Sequence, residues 1–75
     1  MKNYQDVRRL LASFGAVLYM GNRLYDIEMA QIELKRLYEA GLLERQDLLL
    51  ATRLLEEEHH KELHYQQKKS LNQGR

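Results

Sequence analysis

Hydrophobic residues recur at helical spacing in a first segment near the start of the chain. At about 100° per residue they fall on one narrow stripe of a helix. The stripe consists of Tyr4, Val7, Leu10, Leu11 and Phe14. Asn3 is a residue type favoured at helix N-caps, and Gly15 follows the stripe where a left-handed C-terminal residue is commonly glycine. The segment therefore predicts a helix over about residues 4–14.

A second segment carries two apolar stripes on different sides of one helix. The first stripe is followed by Gly41 and consists of Leu24, Ile27, Ala30, Leu34, Leu37 and Tyr38. The second has the spacing i, i+4, i+7 and consists of Tyr25, Met29 and Ile32. The segment predicts a helix over about residues 23–40 that is apolar around more of its circumference than a small bundle requires. Two interpretations stay open: the first helix and an apolar connector over residues 16–20 cover the second stripe, or it binds a second copy or another protein.

A third apolar stripe begins after a short turn and ends well before the end of the chain. It consists of Leu48, Leu50, Ala51, Leu54 and Leu55. Leu49 points away from this stripe and is a further candidate for an exposed contact. No helix breaker stands before Gly74, so the helix is expected to continue past the core as a solvated extension and then to fray into a disordered tail. We therefore predict an all-α fold, a small antiparallel three-helix bundle over residues 1–58 with a charged C-terminal helical extension and tail over residues 59–75.

Composition narrows the class of protein. Seventy-five residues make one small domain, and the absence of cysteine excludes a disulfide scaffold or a cysteine-ligated zinc site. The longest apolar run, residues 16–20, is far shorter than the roughly 20 residues that cross a bilayer. No secretory signal precedes the first amphipathic segment. These features predict a cytoplasmic protein without membrane association.

The net charge of +1 conceals an uneven distribution of charge along the chain. Residues 1–25 hold four basic side chains against one acidic, a net +3, whereas residues 26–44 hold two against five, a net −3. Residues 45–75 hold six basic and five acidic side chains, a net +1. The first third of the chain is therefore where an anionic ligand is expected.

The basic first third offers a candidate site for single-stranded nucleic acid. Arg8 and Arg9 lie off the apolar stripe of the first helix, and Arg23 opens the second helix, where backbone N–H groups favour an anion. Tyr19 and Tyr25 lie near Arg23 in sequence and can stack on bases, which holds single strands without sequence readout. So few phosphate contacts predict weak, salt-sensitive binding. In the alternative interpretation Arg23 pairs with a carboxylate, and the first two arginines are simply solvated.

Histidines and carboxylates cluster in the C-terminal extension without predicting a metal site. His59, His60 and His64 closely follow Glu56 in the sequence. His60 and His64 are four residues apart and lie on one helical face, and Glu56 lies one turn earlier on that face. The cluster lies beyond the apolar stripe, and the chain has no second histidine cluster to complete a site. We interpret it as a solvated face and predict no metal and no cofactor. Without a cysteine nucleophile or a glycine-rich phosphate loop, we also predict that the protein is not an enzyme.

The arrangement of motifs resembles the YqgQ-like family of small uncharacterised bacterial cytosolic proteins. The residues that carry the resemblance are Asp6-Val7-Arg8-Arg9-Leu10-Leu11, Phe14-Gly15, Tyr19-Met20-Gly21-Asn22-Arg23, Asp26-Ile27-Glu28-Met29, Glu33-Leu34 and Leu37-Tyr38. The resemblance covers about Tyr4 to Glu58 and is most specific in the turn before Arg23. It implies a compact three-helix domain without known enzymatic activity, and an expectation of binding single-stranded nucleic acid. It carries nothing over to residues from His59 onward.

The sequence as a whole thus predicts a small non-catalytic binding protein. Single-stranded nucleic acid is the first expected ligand, through Arg8, Arg9, Arg23, Tyr19 and Tyr25. The alternative is a protein-interaction or self-association module, whose surface comprises Tyr25, Met29, Ile32 and Leu49.

Overall fold

The computed structural model describes residues 1–16 and 21–73, with side chains described as far as residue 68. Within these residues the chain forms three α-helices and no strand: α1 (Tyr4–Ser13), α2 (Arg23–Glu39) and α3 (Arg45–Gln73). The fold is all-α, as predicted. The bounds of α1 and α2 agree with the predicted helices to within one residue at each end, and α3 begins near its predicted start.

Asparagine side chains begin the first two helices, because each satisfies a backbone N–H group that has no partner within the helix. Asn3 Oδ1 accepts a hydrogen bond of 3.0 Å from the backbone N–H of Asp6. Asn22 Oδ1 accepts one of 3.2 Å from the backbone N–H of Tyr25. Each helix therefore begins at the residue that follows its asparagine.

A glycine in a left-handed conformation ends each of these two helices. Gly41 has φ 77°, and beyond it the backbone N–H of Leu42 donates to the carbonyl of Leu37 at 2.9 Å. This is the Schellman arrangement, which satisfies carbonyl groups at the end of a helix while the chain changes direction. The same arrangement ends α1 at Gly15, with φ 87°. The chain can therefore turn back after each helix without strain.

The core forms where the predicted stripes of the three helices meet. Its buried apolar residues are Tyr4, Val7, Leu11, Ile27, Ala30, Leu34, Leu37, Leu43, Ala51 and Leu55. Burying a leucine, isoleucine or valine fully contributes about 1.5–3 kcal/mol, so these residues dominate stability. Three members of the stripes, Phe14, Tyr38 and Leu50, remain about two-fifths exposed because they lie towards the ends of the packed segments.

The third helix extends past this core as one continuous element. Leu55 is the last buried apolar residue among those described, whereas α3 continues to Gln73 and gives the molecule extents of 49 × 21 × 18 Å. The domain boundary predicted after Glu58 lies inside α3, and side chains as far as Glu62 still contact α2. Within the predicted extension and tail, residues 59–75, the described backbone is helical as far as Gln73, and residues 74 and 75 lie outside the described residues. Nowhere in residues 1–16 and 21–73 does a helix combine the length and apolarity needed to cross a membrane.

Candidate functional site

The side chain of Arg23 joins the three helices at one end of the core. Arg23 Nη2 lies 2.7 Å from Glu58 Oε2, and its Nε lies 3.4 Å from Glu62 Oε1, both on α3. Its guanidinium carbon also lies 5.0 Å from the centroid of the Tyr4 ring on α1. The hydrogen bond to Glu58 raises the pKa of Arg23. The predicted anion-binding arginine thus already has two carboxylate partners.

The other two arginines of the predicted site differ in their surroundings. The guanidinium carbon of Arg8 lies 5.9 Å from the centroid of the Tyr4 ring, so Arg8 and Arg23 converge on one aromatic side chain. Arg9 is 80% exposed at its side chain and pairs along α1 with Asp6, Nη1 to Oδ1 at 3.3 Å. The structure therefore brings together two of the three predicted arginines.

Of the two tyrosines predicted to stack on bases, the structure describes Tyr25 alone, and this side chain lies away from Arg23. Tyr19 lies outside the described residues. Tyr25 is exposed, but it stands two positions after Arg23, which corresponds to about 200° around a helix. Its ring and the Arg23 guanidinium therefore lie on opposite sides of α2.

Three apolar side chains lie together on the outer side of α2. Tyr25, Met29 and Ile32 are 60%, 39% and 53% exposed, and we call them the α2 outer face. Because they are exposed, α1 does not cover them; the suggested contribution of the connector falls on residues 17–20, which are not described. Within the described residues, this stripe is therefore an exposed surface.

Leu49, the fourth residue of the predicted interaction surface, lies elsewhere. It is exposed, and it stands two positions before Ala51, which is fully buried. At about 100° per residue this separation places Leu49 on the outer side of α3. Because α2 and α3 pack on each other through their buried sides, the structure does not bring Leu49 together with the α2 outer face.

Charged side chains of both signs border the α2 outer face. Glu28 Oε2 lies 2.9 Å from His59 Nε2 on α3. Arg36 is 72% exposed at its side chain and lies 3.7 Å from Glu33, Nη1 to Oε1. Lys35 is also exposed. Both halves of α2 thus carry acidic groups near this face, Glu28 in the first and Glu33 and Glu39 in the second, where Lys35 and Arg36 also lie.

Sequence reasoning missed the residues that hold Arg23 in place. Tyr4 was predicted only as a member of the core stripe, and Glu58 and Glu62 were assigned no role. The spacing of the two glutamates was the available signal, because residues four apart lie on one side of a helix. That side continues the buried stripe of α3, so the two carboxylates reach the neighbouring helix.

The histidine cluster does not assemble into a metal site. His60 and His64 are exposed on α3, whereas His59 contacts Glu28. In the part of the chain that the structure describes, no group of three or more histidine, aspartate and glutamate side chains is placed to hold a metal ion.

An open groove of about 530 Å³ runs between α2 and α3. It is lined by Gln31, Lys35, Tyr38, Glu39, Leu48, Thr52 and Glu56. The lining combines one basic and two acidic side chains with an amide, a hydroxyl, an aromatic ring and a leucine.

Comparison with known proteins gives one consistent result. The family model described as YqgQ-like matches residues 1–61. The chain is 36% identical over 58 residues to the protein named "Uncharacterized protein YqgQ" of Bacillus subtilis (strain 168). The aligned residues make up 77% of this chain and 82% of that protein. No solved structure matches significantly.

Proposed function

The chain belongs to the YqgQ-like family, and from its exposed surfaces we propose that it is a non-catalytic protein-interaction module that binds a partner helix on the α2 outer face. The single observation that carries this function is the exposure of Tyr25, Met29 and Ile32. Their i, i+4, i+7 spacing forms the continuous apolar stripe through which helices recognise one another.

The bundle leaves the apolar side chains of the α2 outer face exposed to water. Covering a half-exposed tyrosine, methionine or isoleucine contributes about 1 kcal/mol each, roughly half the value for full burial. These three exposed side chains lie on one face of a single helix. A partner helix with an apolar stripe would cover them and leave the bordering charges in water.

The surroundings of Arg23 make nucleic-acid binding the weaker candidate. Glu58 and Glu62 already balance its charge, so a phosphate would have to displace or approach two carboxylates. Tyr25 lies on the other side of α2 and contributes no stacking platform beside that arginine.

Affinity capture with matched variants tests the proposed interaction. Tagged wild-type protein and two variants, Ile32→Glu and Leu49→Glu, would be used to retain proteins from a cell extract that also contains an untagged copy of the chain. Both substitutions place a carboxylate at an exposed leucine or isoleucine, so both variants are expected to fold, as circular dichroism would verify.

We expect Leu49→Glu to retain the same proteins as wild type and Ile32→Glu to lose at least one of them. The charge would have to be buried against the apolar partner, which is costly. If Ile32→Glu retains every protein that wild type retains, including the untagged copy, the α2 outer face is not the binding surface.

A second candidate function, weak binding of single-stranded nucleic acid, is favoured by the convergence of Arg8 and Arg23 on Tyr4. Two guanidinium groups from different helices raise the local positive potential despite the nearby carboxylates. Arg9, on the same helix as Arg8, adds a largely exposed charge.

Fluorescence anisotropy with a labelled oligonucleotide tests this candidate at about 50 and 200 mM salt. Binding through phosphates should weaken steeply at the higher salt and should be lost when Arg8 and Arg9 are both replaced by alanine. Replacing Arg36, a similarly exposed arginine outside the cluster, provides the control. Equal binding by all three proteins would exclude the arginine cluster as the site.

A further inference from the structure

We propose that Glu58 and Glu62 of α3 form an autoinhibitory contact: they occupy Arg23 as an internal substitute for the phosphates of a single-stranded nucleic acid. This inference rests on the second candidate function, weak binding of a single strand by the arginines beside Tyr4, and describes how that site is regulated. It does not depend on the α2 outer face. Arg23 is held by the two carboxylates in the free protein and becomes available to a ligand when this part of α3 moves away.

Both carboxylates lie beside the nitrogens of Arg23 that an anion would use. Nη2 lies 2.7 Å from Glu58 Oε2, and Nε lies 3.4 Å from Glu62 Oε1. These two nitrogens belong to one planar guanidinium, whose N–H groups form a fork that receives a carboxylate or a phosphate through two hydrogen bonds. A phosphate that binds this fork therefore competes with the two glutamates for the same donors.

The contact lies at the surface, where a ligand can reach it. The side chain of Arg23 is 47% exposed, whereas those of Glu58 and Glu62 are 22% and 14% exposed. The guanidinium carbons of Arg8 and Arg23 lie 5.9 and 5.0 Å from the centroid of the Tyr4 ring. An anionic chain that replaces the glutamates at Arg23 thus meets a second arginine beside the same ring.

The part of α3 that carries these glutamates lies against the bundle through polar side chains. Leu55 is the last buried apolar residue among those described. Within the described side chains of residues 56–68, those that are partly buried are Glu58, His59, Glu62 and Gln66. Ion pairs that water can reach contribute little stability. A phosphate can therefore displace this segment without disrupting the apolar core.

The strength of the ion pairs sets the size of the expected effect. Exposed ion pairs contribute up to about 1 kcal/mol, which corresponds to about fivefold in affinity. Each phosphate contact with a single strand also adds about 0.7 to the slope of log affinity against log salt concentration. Removing both carboxylates should thus raise affinity about fivefold and make its salt dependence steeper by one such contact.

The double variant Glu58→Gln with Glu62→Gln tests the contact. Glutamine keeps the size of glutamate and removes its charge, so the variant is expected to fold, which circular dichroism checks. The matched control is Glu39→Gln with Glu56→Gln, which changes the net charge by the same amount. Glu39 stands 16 positions after Arg23, and Glu56 stands two positions before Glu58, on nearly the opposite side of α3.

Replacing Arg23 by methionine, alone and together with the Glu58→Gln and Glu62→Gln changes, shows whether the gain passes through this arginine. Asp26, a buried carboxylate that interacts electrostatically with Tyr4, is present in every protein compared, so its contribution cancels. Fluorescence anisotropy with a labelled single-stranded oligonucleotide at about 50 and 200 mM salt measures the affinities.

At the lower salt concentration, the variant without the two carboxylates should bind about five times more tightly than wild type. The matched control, and the same two substitutions in the Arg23→Met background, should gain less than about twofold, because only long-range charge changes there. Binding by the variant in the absence of any binding by wild type would also support the inference, as complete inhibition. Equal affinities of variant and wild type, or a gain that the control matches or that persists without Arg23, would overturn it.

The two proposals can fail separately. If wild-type binding is lost on replacement of Arg8 and Arg9 but removal of the two carboxylates brings no gain, the autoinhibitory contact is wrong and the nucleic-acid function stands. If none of the proteins binds the oligonucleotide at the lower salt concentration, that function fails, and the autoinhibition that rests on it fails as well.

Discussion

Tyr4 connects the apolar core to the ion pairs at its edge. Its ring is almost fully buried, yet it contacts the guanidinium groups of Arg8 and Arg23. A cation over an aromatic face contributes about 0.5–1 kcal/mol at an exposed site, and Arg23 also binds two carboxylates of α3. The first residue of α2 is therefore fixed by both neighbouring helices.

Replacing Arg23 by methionine should lower the free energy of unfolding by about 1 kcal/mol, because it removes the pairs with Glu58 and Glu62 while keeping a side chain that packs on Tyr4. The effect is modest because Arg23 is 47% exposed at its side chain, and exposed ion pairs are weakened by solvent. Urea unfolding followed by circular dichroism measures the change.

Arg9→Met is the matched control, since among the described residues Arg9 pairs with Asp6 of its own helix, and its side chain is 80% exposed. Its effect should stay within about 0.5 kcal/mol. Equal losses for both variants would show that Arg23 does not join the helices.

Burial of Tyr4 gives stability a dependence on alkaline pH. Burial, the largest cause, raises the pKa of Tyr4 above its ordinary value in the folded protein. A tyrosine is neutral when protonated, so its contribution is fully present below the unfolded pKa of about 10. It is lost as pH rises from about 10 through the folded pKa. Wild-type protein should therefore lose more stability above pH ~10 than Tyr4→Phe, measured by urea unfolding at a series of pH values. Parallel curves would contradict this assignment.

At the level of the helices, the ends of α1 and α2 are determined locally. An asparagine begins each, and a glycine with positive φ ends each. Apart from the adjoining chain, no atom of the described residues lies within 4 Å of the position that a Cβ atom would occupy at Gly41. A larger residue there is opposed by the backbone conformation alone.

Gly41→Ala should therefore destabilise the protein by about 1 kcal/mol, the cost of a left-handed conformation for a residue with a Cβ atom. Gly41→Asn should cost less, because asparagine tolerates this conformation better than alanine does. Thermal or urea unfolding of the two variants compares them directly. An alanine variant as stable as the asparagine variant would mean that the turn after α2 adopts another conformation.

The same local signals explain how much of the fold was predictable. Helix caps and apolar stripes lie within a few residues of one another, so the bounds of α1 and α2 could be predicted from the sequence. The partners of Arg23 could not, because Glu58 lies 35 positions away and meets it only when α3 packs beside α2. The exposed stripe was predicted as one of two interpretations, and only the packed structure shows that α1 leaves it uncovered.

Two residues of the predicted sites, Tyr25 and Leu49, were grouped with side chains that lie elsewhere in the structure. Tyr25 was grouped with Arg23, and Leu49 with the stripe of α2, by closeness in sequence or by apolar character. Two residues apart in a helix means nearly opposite sides, so Tyr25 and Arg23 do not share a site. Leu49 likewise lies on the side of α3 that faces away from the core of the bundle.

The molecule as a whole combines a packed bundle with a projecting helix. The last described ion pair between helices involves Glu62, and Leu63 and Tyr65 beyond it are exposed. None of the described side chains after Glu62, residues 63–68, is buried. Stability should depend on the chain up to this residue and little on the chain after it.

A chain that ends after Gln66 should keep the unfolding free energy of the full protein to within about 0.5 kcal/mol. A chain that ends after Glu57 loses the partners of Arg23 and the contact of His59 with Glu28. It should be destabilised by more than about 1 kcal/mol. Urea unfolding of both truncated chains measures the difference. A large loss in the longer of the two would mean that the distal part of α3 packs on the bundle.

The projecting part of α3 also affects how the protein moves through solution. A particle of 49 × 21 × 18 Å experiences more friction than a sphere of the same mass. On a size-exclusion column calibrated with globular standards, a monomer of 9.0 kDa will therefore elute early, at the apparent mass of a larger protein. Light scattering and sedimentation equilibrium measure mass independently of shape, so one of them is required to determine the oligomeric state. Tumbling will also be anisotropic, slowest for rotations that turn the long axis end over end.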